Sequence, residues 1–245
     1  VNITGTTTNL KALTVNSNAS TSSLVGGVAD TIGYATTLTK QGTGSLVLSG
    51  INTYTGATTI SAGGLIIQND APSYATSGFS GAGTLTIQPA STSFTSDYTF
   101  STAISSLGGL TLGKSGNTKN ITVSAAETIG GPIAIYGANI ALNANVTATS
   151  NTIALYGSGT VNGTGAIVAD NLFLSGGAVT LTNASNNIAT LAATGVSSLS
   201  YADSGAIMIA TSANCLDVKS GLAVISAIRG AGSFAINCEV KQQFN

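Results

Sequence analysis

The chain has 245 residues and a mass of 23.9 kDa, enough for one large β domain or two medium ones. Only 6% of the residues are charged and the net charge is −1, which excludes a basic surface that binds nucleic acid through counterion release. Apolar residues make up 43% and mean hydropathy is +0.39, which excludes a disordered polar tract.

The sequence shows no targeting or membrane-spanning segment. No apolar run approaches the ~20 residues that a transmembrane helix needs. The start, Val1-Asn2-Ile3-Thr4, has neither a methionine nor a basic region followed by an apolar one. We therefore expect the chain to be a mature or excised piece of a longer protein.

Tyrosines recur at a fixed distance along the chain. Tyr34, Tyr54 and Tyr74 are evenly spaced, and Tyr136 and Tyr156 repeat the same spacing. This period of ~20 residues is typical of stacked repeats, and helical solenoids need longer units. The spacing therefore predicts an all-β solenoid with coils of ~20 residues.

Short strand signals follow one another through the chain. Short runs alternate apolar with small or β-branched side chains, and Gly, Asn or Ser bound each run. No helical periodicity persists beyond about one turn. The predicted strands contain residues 46–48, 58–60, 65–67, 85–87, 110–112, 121–123, 133–135, 140–142, 153–155, 166–168, 172–174, 179–181, 207–209 and 222–224.

Small and amide residues are expected at the corners between strands. Strands this short need partners in neighbouring coils, ~4.8 Å away. Paired glycines such as 63–64 and 176–177 allow the path to bend there. Asn183, Asn186 and Asn187 either stack as a ladder of side-chain amides at one corner or are ordinary turn asparagines.

Residues 38–67 carry a dense motif: a lysine, Gly-x-Gly, Leu-x-Leu, Gly-x-Asn-x-Tyr-x-Gly, a Thr and an Ile, and Gly-x-Leu. The motif closely resembles the passenger-associated repeat of bacterial autotransporters. The matching positions are Lys40, Gly42, Gly44, Leu46, Leu48, Gly50, Asn52, Tyr54, Gly56, Thr59, Ile60, Gly63 and Leu65.

A second resemblance covers residues 121–201, which are similar to large exoproteins of the filamentous haemagglutinin type. Residues 131–137, 140–145 and 181–191 carry it. Both resemblances imply a right-handed parallel β-helix exported through the outer membrane of Gram-negative bacteria. They therefore imply an extracellular or cell-surface location.

The chain divides into four predicted segments. Residues 1–92 form a solenoid segment with the autotransporter-type repeat, and residues 108–214 form one that resembles filamentous haemagglutinin. Between them, the aromatic-rich interval 93–107 predicts an irregular loop or a change of coil size, because aromatic side chains favour burial. Residues 215–245 are expected to cap the C-terminal end.

Enzymatic chemistry has little support in the sequence, although pectin-cleaving enzymes also use parallel β-helices. The intervals between Glu127, Asp170 and Asp203 do not match a coil of ~20 residues, which keeps acid–base pairs apart. Histidine is absent, which excludes His-based triads and His zinc sites. We predict no catalysis, no metal site and no cofactor required for folding.

The favoured function is a non-enzymatic adhesin segment, a shaft for attachment or biofilm-type interactions. The alternative is a structural subunit that assembles into an extracellular fibre or surface layer, because open ends of a β-helix are pairing edges. Expected partners are host-cell or matrix glycans and proteins, or a neighbouring bacterial surface. If Tyr34, Tyr54 and Tyr74 stack, they form a strip for glycan contact; packing in the core is the favoured alternative.

The two cysteines predict a bridge at the C-terminal end. Cys215 and Cys238 are separated by about one coil plus a small insertion. One coil separates Cα atoms by ~5 Å, within the reach of a disulfide. A metal site and two free buried thiols are the alternatives.

We predict that the bridge forms and adds ~3–4 kcal/mol of loop-closure entropy to stability in the chain-entropy model. Intact mass with and without reductant measures it, since reduction of one disulfide adds two hydrogens. Alkylation of both thiols in denaturant without reductant would show that the bridge is absent.

Overall fold

The computed structural model describes residues 11–18, 20–30, 33–74 and 77–209, and the backbone of 2–3, 225–229 and 235–236. In this part every regular element is a strand and every strand pairing is parallel. The strands form a β-solenoid of about nine turns with coils of ~20 residues. The predicted class and period are confirmed, whereas the right-handed sense stays a prediction.

Among the described residues, one sheet of 13 strands runs along the solenoid. With strands numbered in chain order, its members are, in spatial order, β1 (Asn2–Ile3), β3 (Thr21–Leu24), β5 (Ser45–Leu48), β7 (Gly64–Gln68), β9 (Thr84–Gln88), β11 (Gly109–Leu112), β14 (Ile133–Gly137), β16 (Val146–Gly157), β18 (Ile167–Ser175), β20 (Asn187–Thr194), β22 (Met208–Ile209) and β24 (Ala235–Ile236). Beside this path, β13 (Glu127–Ile129) also pairs with β16.

Two further sheets follow one another along the solenoid. The first has four strands, β2 (Ala12–Asn16), β4 (Thr37–Gln41), β6 (Thr58–Ile60) and β8 (Phe79–Ser80). The second has seven strands, β10 (Tyr98–Phe100), β12 (Ile121–Val123), β15 (Ile140–Leu142), β17 (Val161–Gly163), β19 (Ala178–Leu181), β21 (Ser198–Ala202) and β23 (Ile225–Arg229). Each coil thus contributes strands to the long sheet and to one of the shorter sheets.

The core consists of columns of apolar side chains that run from coil to coil. Alternate residues of each strand point inward, and parallel in-register pairing places like residues above one another. One buried column consists of Leu46, Leu65, Leu85, Leu110, Ile133, Ile153, Leu172 and Leu191. A second buried column lies further along the same strands: Leu24, Leu48, Ile67, Ile87, Leu112, Ile135, Leu155 and Leu174.

The predicted strand runs lie in strands, except for Ala166 and Ile207, which directly precede β18 and β22; the run 222–224 lies outside the described residues. Strand length differs from the prediction, because β16 has 12 residues and β18 has nine. A single strand here follows the chain around a corner, so β13 and β14 both pair with β16. The bend lies at Ser150, with a φ of 52°, between the register positions Ala148 and Thr152.

The aromatic interval 93–107 lies where the second face of the solenoid changes sheet, after β8 and around β10. Phe94 and Phe100 are buried there. The rings of Phe94 and Tyr98 are 5.0 Å apart, and those of Tyr74 and Phe100 are 6.3 Å apart. Aromatic packing therefore fills the junction, while the boundaries of the four segments stay predictions.

The predicted C-terminal bridge between Cys215 and Cys238 lies outside the described residues and stays a prediction. Within the described residues, no helix is long and apolar enough to cross a bilayer.

A buried carboxyl lies beside the aromatic junction. Glu127 is only 1% exposed, and its Oε2 accepts a hydrogen bond from the backbone N–H of Ile104 at 3.1 Å. Its Oε1 has no hydrogen-bond partner within the described part of the chain. Burial raises the pKa of Glu127 to about 9, so the carboxyl is neutral at pH 7.

This carboxyl predicts a loss of stability with rising pH. In the unfolded chain it loses its proton above its ordinary pKa of 4.5, whereas the folded chain keeps the proton until the pKa of about 9. The free energy of unfolding therefore falls between these values, by up to about 1.4 kcal/mol per pH unit. Glu127→Gln should flatten this slope in denaturant titrations from pH 5 to 9. Asp170→Asn, at an exposed carboxylate, is the control, and an unchanged slope in Glu127→Gln would contradict the assignment.

Candidate functional site: an aromatic groove on the long sheet

The lysine of the 38–67 motif stabilises a corner of the solenoid from inside. Lys40 is fully buried. Its Nζ donates hydrogen bonds to the carbonyl oxygens of Gln41 at 2.6 Å, Gly42 at 2.8 Å and Ala62 at 3.3 Å. Burial lowers the pKa of this ammonium group. Lys40 therefore joins one coil to the next.

Asn52 and Tyr54 of the motif are also buried, each 1% exposed. Asn52 Oδ1 accepts from the backbone N–H of Val28 at 3.0 Å, and its Nδ2 donates to the carbonyl oxygen of Ser73 at 3.2 Å. The amide thus connects the coil before it with the coil after it. The Tyr54 hydroxyl bonds to Thr58 Oγ1 at 2.7 Å within its own coil, so Asn52 serves the stacking of coils and Tyr54 fills the core.

Motif glycines allow the backbones of adjacent coils to touch. A Cβ atom at Gly56 would lie 2.2 Å from the carbonyl oxygen of Thr36. Gly63 has a φ of +66°, and a Cβ there would lie 2.2 Å from the carbonyl oxygen of Gly44. Any other residue would push the coils apart. The motif residues Lys40, Asn52, Gly56 and Gly63 therefore hold adjacent coils of the solenoid together.

The three tyrosines considered for a glycan strip lie in three different environments. Tyr34 is 54% exposed, with Lys11 Nζ 4.2 Å from its ring centroid. Tyr54 fills the core and offers no surface to a ligand. Tyr74 is half-buried, packs on Phe79 with centroids 5.5 Å apart, and its hydroxyl bonds to that of Tyr98. Glycan contact stays a prediction for Tyr34, the exposed member.

The other tyrosine pair does stack, on the outer face of the long sheet. Tyr136 and Tyr156 are register partners in β14 and β16, with ring centroids 4.4 Å apart and planes 6° from parallel. Phe173 in β18 extends the cluster, with its centroid 5.5 Å from that of Tyr156. All three rings are half-exposed. Aromatic surface of this kind suits ligand contact.

Sequence spacing revealed the repeat of Tyr136 and Tyr156 but did not assign them as a contact surface. Phe173 follows Tyr156 by less than the repeat distance and pairs with Ala154, so it belongs to the neighbouring row of side chains. Only the alignment of consecutive strands, rather than a fixed period, would have shown this cluster.

A groove of about 440 Å³ runs beside the stacked tyrosines. The loop 114–118 forms one wall, and glycine backbone and hydroxyl side chains border the rings. Among the lining residues, the only charged side chain is Lys114. The residues that line the groove beyond the loop are Tyr136, Gly137, Tyr156, Gly157, Ser158 and Ser175.

The loop wall is held in place by Asn117, which is 6% exposed. Its Nδ2 donates to the carbonyl oxygen of Tyr136 at 2.9 Å, and its Oδ1 accepts from Ser93 Oγ at 2.9 Å. Thr118 Oγ1 also lies 3.0 Å from Ser93 Oγ. These bonds fix the loop relative to the tyrosine rows, so the groove is preformed.

An external polar ladder lies close to the groove in sequence. Asp97 accepts from the side chain of Asn120 at 2.8 Å, and Asn120 Oδ1 accepts from the side chain of Asn139 at 2.8 Å. Asn139 Oδ1 in turn accepts from the Thr160 hydroxyl at 2.9 Å. Asn139 and Thr160 closely follow the glycines at 137 and 157 that line the groove. The ladder helps to keep these coils in register.

The asparagines named from the sequence do not form that ladder. Asn186 is fully buried, accepts from the backbone N–H of Ile167, and donates to the carbonyl oxygen of Ala202. Asn183 donates to the carbonyl oxygen of Thr164 at 2.7 Å. Both therefore bond to backbone, which favours the turn interpretation for this pair.

Carboxylates do not gather at the groove. No group of three or more His, Cys, Asp or Glu side chains that could hold a metal ion occurs among the described residues. Glu127 lies inside the core, and Asp203 is 4% exposed with its Oδ2 bonded to the Tyr201 hydroxyl at 2.9 Å. Neither carboxyl can meet a substrate in this structure; the absence of catalysis stays a prediction.

Comparison with known proteins agrees with the architecture. Residues 38–67, about an eighth of the chain, match the family model described as a passenger-associated-transport-repeat. The resemblance read from the motif is thereby confirmed, and the chain is a β-solenoid that carries an autotransporter passenger repeat. This repeat family implies export to the cell surface or the extracellular space. Neither curated proteins nor solved structures give a match.

We predict that Lys40→Met lowers the free energy of unfolding by about 2–4 kcal/mol, because methionine fills the space but leaves buried carbonyl oxygens without a donor. Denaturant unfolding followed by circular dichroism measures the change. Lys119→Met, at a half-exposed lysine, is the matched control and should cost under ~1 kcal/mol. Equal losses in both variants would refute the role of Lys40.

Proposed function

We propose that the chain is a non-enzymatic adhesin segment, a β-helical shaft at the cell surface or secreted from it, which mediates attachment or biofilm-type interactions. The observation that carries this proposal is the preformed aromatic groove on the outer face of the long sheet. Because the buried motif residues serve coil stacking, contact with a partner falls to the outer rows of side chains.

The partners that this surface suits are host-cell or matrix glycans and proteins, or a neighbouring bacterial surface. With 6% charged residues, the chain has little electrostatic steering to offer. Binding would rely on aromatic faces, hydroxyls and amides, as in wet and polar recognition surfaces.

A self-assembling subunit of a fibre or surface layer is the second candidate, and two exposed apolar side chains favour it. Val25 is 46% and Ile51 71% exposed. They lie on adjacent coils, because the backbone of Gly50 packs against the carbonyl oxygen of Val25. Exposed apolar side chains on adjacent coils offer a lateral contact between copies.

Binding and assembly can be separated in one set of measurements. Purified chain is tested for saturable binding to glycan arrays, matrix proteins and intact bacterial cells, while light scattering and negative-stain images report its state. The adhesin proposal expects binding by monodisperse protein. Long filaments that disappear in a Val25→Ser/Ile51→Ser variant, with no binding to any surface, would establish the subunit instead.

A further inference from the structure

We propose that the groove beside Tyr136 and Tyr156 binds an oligosaccharide, with a pyranose ring stacked on the face of Tyr136 that Tyr156 does not cover. This inference rests on the adhesin proposal and deepens it by naming the site and the class of ligand. It moves glycan contact from the tyrosines chosen by sequence spacing to a pair that the coil register brings together.

One face of the Tyr136 ring lacks a covering side chain from its own row. Tyr136 stacks on Tyr156 with one face. On the other side, Leu112 pairs with Ile135, so the next residue, Gly113, lies beside Tyr136. Gly113 has no side chain, and a Cβ there would lie 2.3 Å from the carbonyl oxygen of Tyr136. No side chain of its own row therefore covers the second face of the Tyr136 ring.

The lining of the groove combines aromatic rings with small polar residues. Ser115, Ser158 and Ser175 line the groove together with Lys114, whose Nζ donates to the carbonyl oxygen of Ala90 at 3.3 Å. No carboxylate lines it. A pyranose offers an apolar face of C–H groups and a rim of hydroxyls, so it matches aromatic faces that are surrounded by small polar groups. The single cation also tolerates an acidic sugar.

The groove is small, and its loop wall is held in place. A volume of about 440 Å³ falls within the range of small-molecule sites. Asn117 fixes the loop wall to the backbone of Tyr136, so little ordering is needed when a ligand binds. Short oligosaccharides, which are flexible and polar, gain most from such a preformed site.

The test uses an array of neutral and uronic-acid-containing oligosaccharides, followed by calorimetric titration with the strongest ligand on the array. Tyr136→Ala/Tyr156→Ala should bind at least tenfold more weakly, while Tyr136→Phe/Tyr156→Phe keeps the ring faces and stays within a few-fold of the unmodified chain. Met208→Ala removes an exposed apolar side chain elsewhere on the long sheet and should leave affinity unchanged.

Loss of folding in the double alanine variant is controlled in two ways. Melting temperatures are measured for every variant, and Ser158→Trp fills the groove from an exposed position without removing an aromatic ring. Ser158→Trp should lose glycan binding at an unchanged melting temperature.

Each other outcome overturns the site assignment. Glycan binding that survives both Tyr136→Ala/Tyr156→Ala and Ser158→Trp rules out the groove but leaves the adhesin proposal standing. Binding to matrix protein or cells without binding to glycans also rules out the groove as a glycan site and leaves the adhesin proposal standing. It indicates a protein partner. No binding to any surface removes both proposals.

Discussion

In-register stacking of parallel strands is the constraint on which this structure depends. Buried columns such as that from Leu46 to Leu191 continue only if each strand keeps its register with the strand of the coil before it. A shift of one residue would turn every inward side chain outward. Lys40, Asn52 and Gly63 lie at corners, where the chain could otherwise shift its register by one residue. Their hydrogen bonds and close contacts fix the register and so keep the apolar side chains in the core.

The same register also organises the surface. Outward residues lie in rows for the reason that inward residues lie in columns, so a tyrosine repeated in the next coil becomes a stack and an asparagine becomes a ladder. Outward side chains on such a solenoid therefore lie in rows that run perpendicular to the strands. A ligand that extends along the solenoid can contact several equivalent side chains of one row. A row ends wherever the next coil has a glycine, as at Gly113 beside Tyr136.

Sequence patterns predicted the solenoid, its strands and its repeat, because apolar alternation and corner glycines are local signals. Row membership was not predictable from a constant period. Coil length varies along the chain. The interval from Val28 to its hydrogen-bond partner Asn52 is longer than that from Ile133 to its register partner Ile153. Equal spacing therefore stacks Tyr136 on Tyr156 and fails for the earlier tyrosines. The burial of Glu127 also depends on which coils enclose it, and no local signal reports that.

The change of sheet at the aromatic junction has a mechanical consequence. Through the described part, the long sheet pairs β9 with β11 across this level, but β8 and β10 belong to different sheets. Tension along the axis is therefore carried by one strand ladder here and by two elsewhere. The bond from the Thr95 N–H to the carbonyl oxygen of Asp70, the bond between the hydroxyls of Tyr74 and Tyr98, and the buried rings of Phe94 and Phe100 supplement it. A shaft pulled between two surfaces is expected to yield first at this level, with the coils on either side still folded.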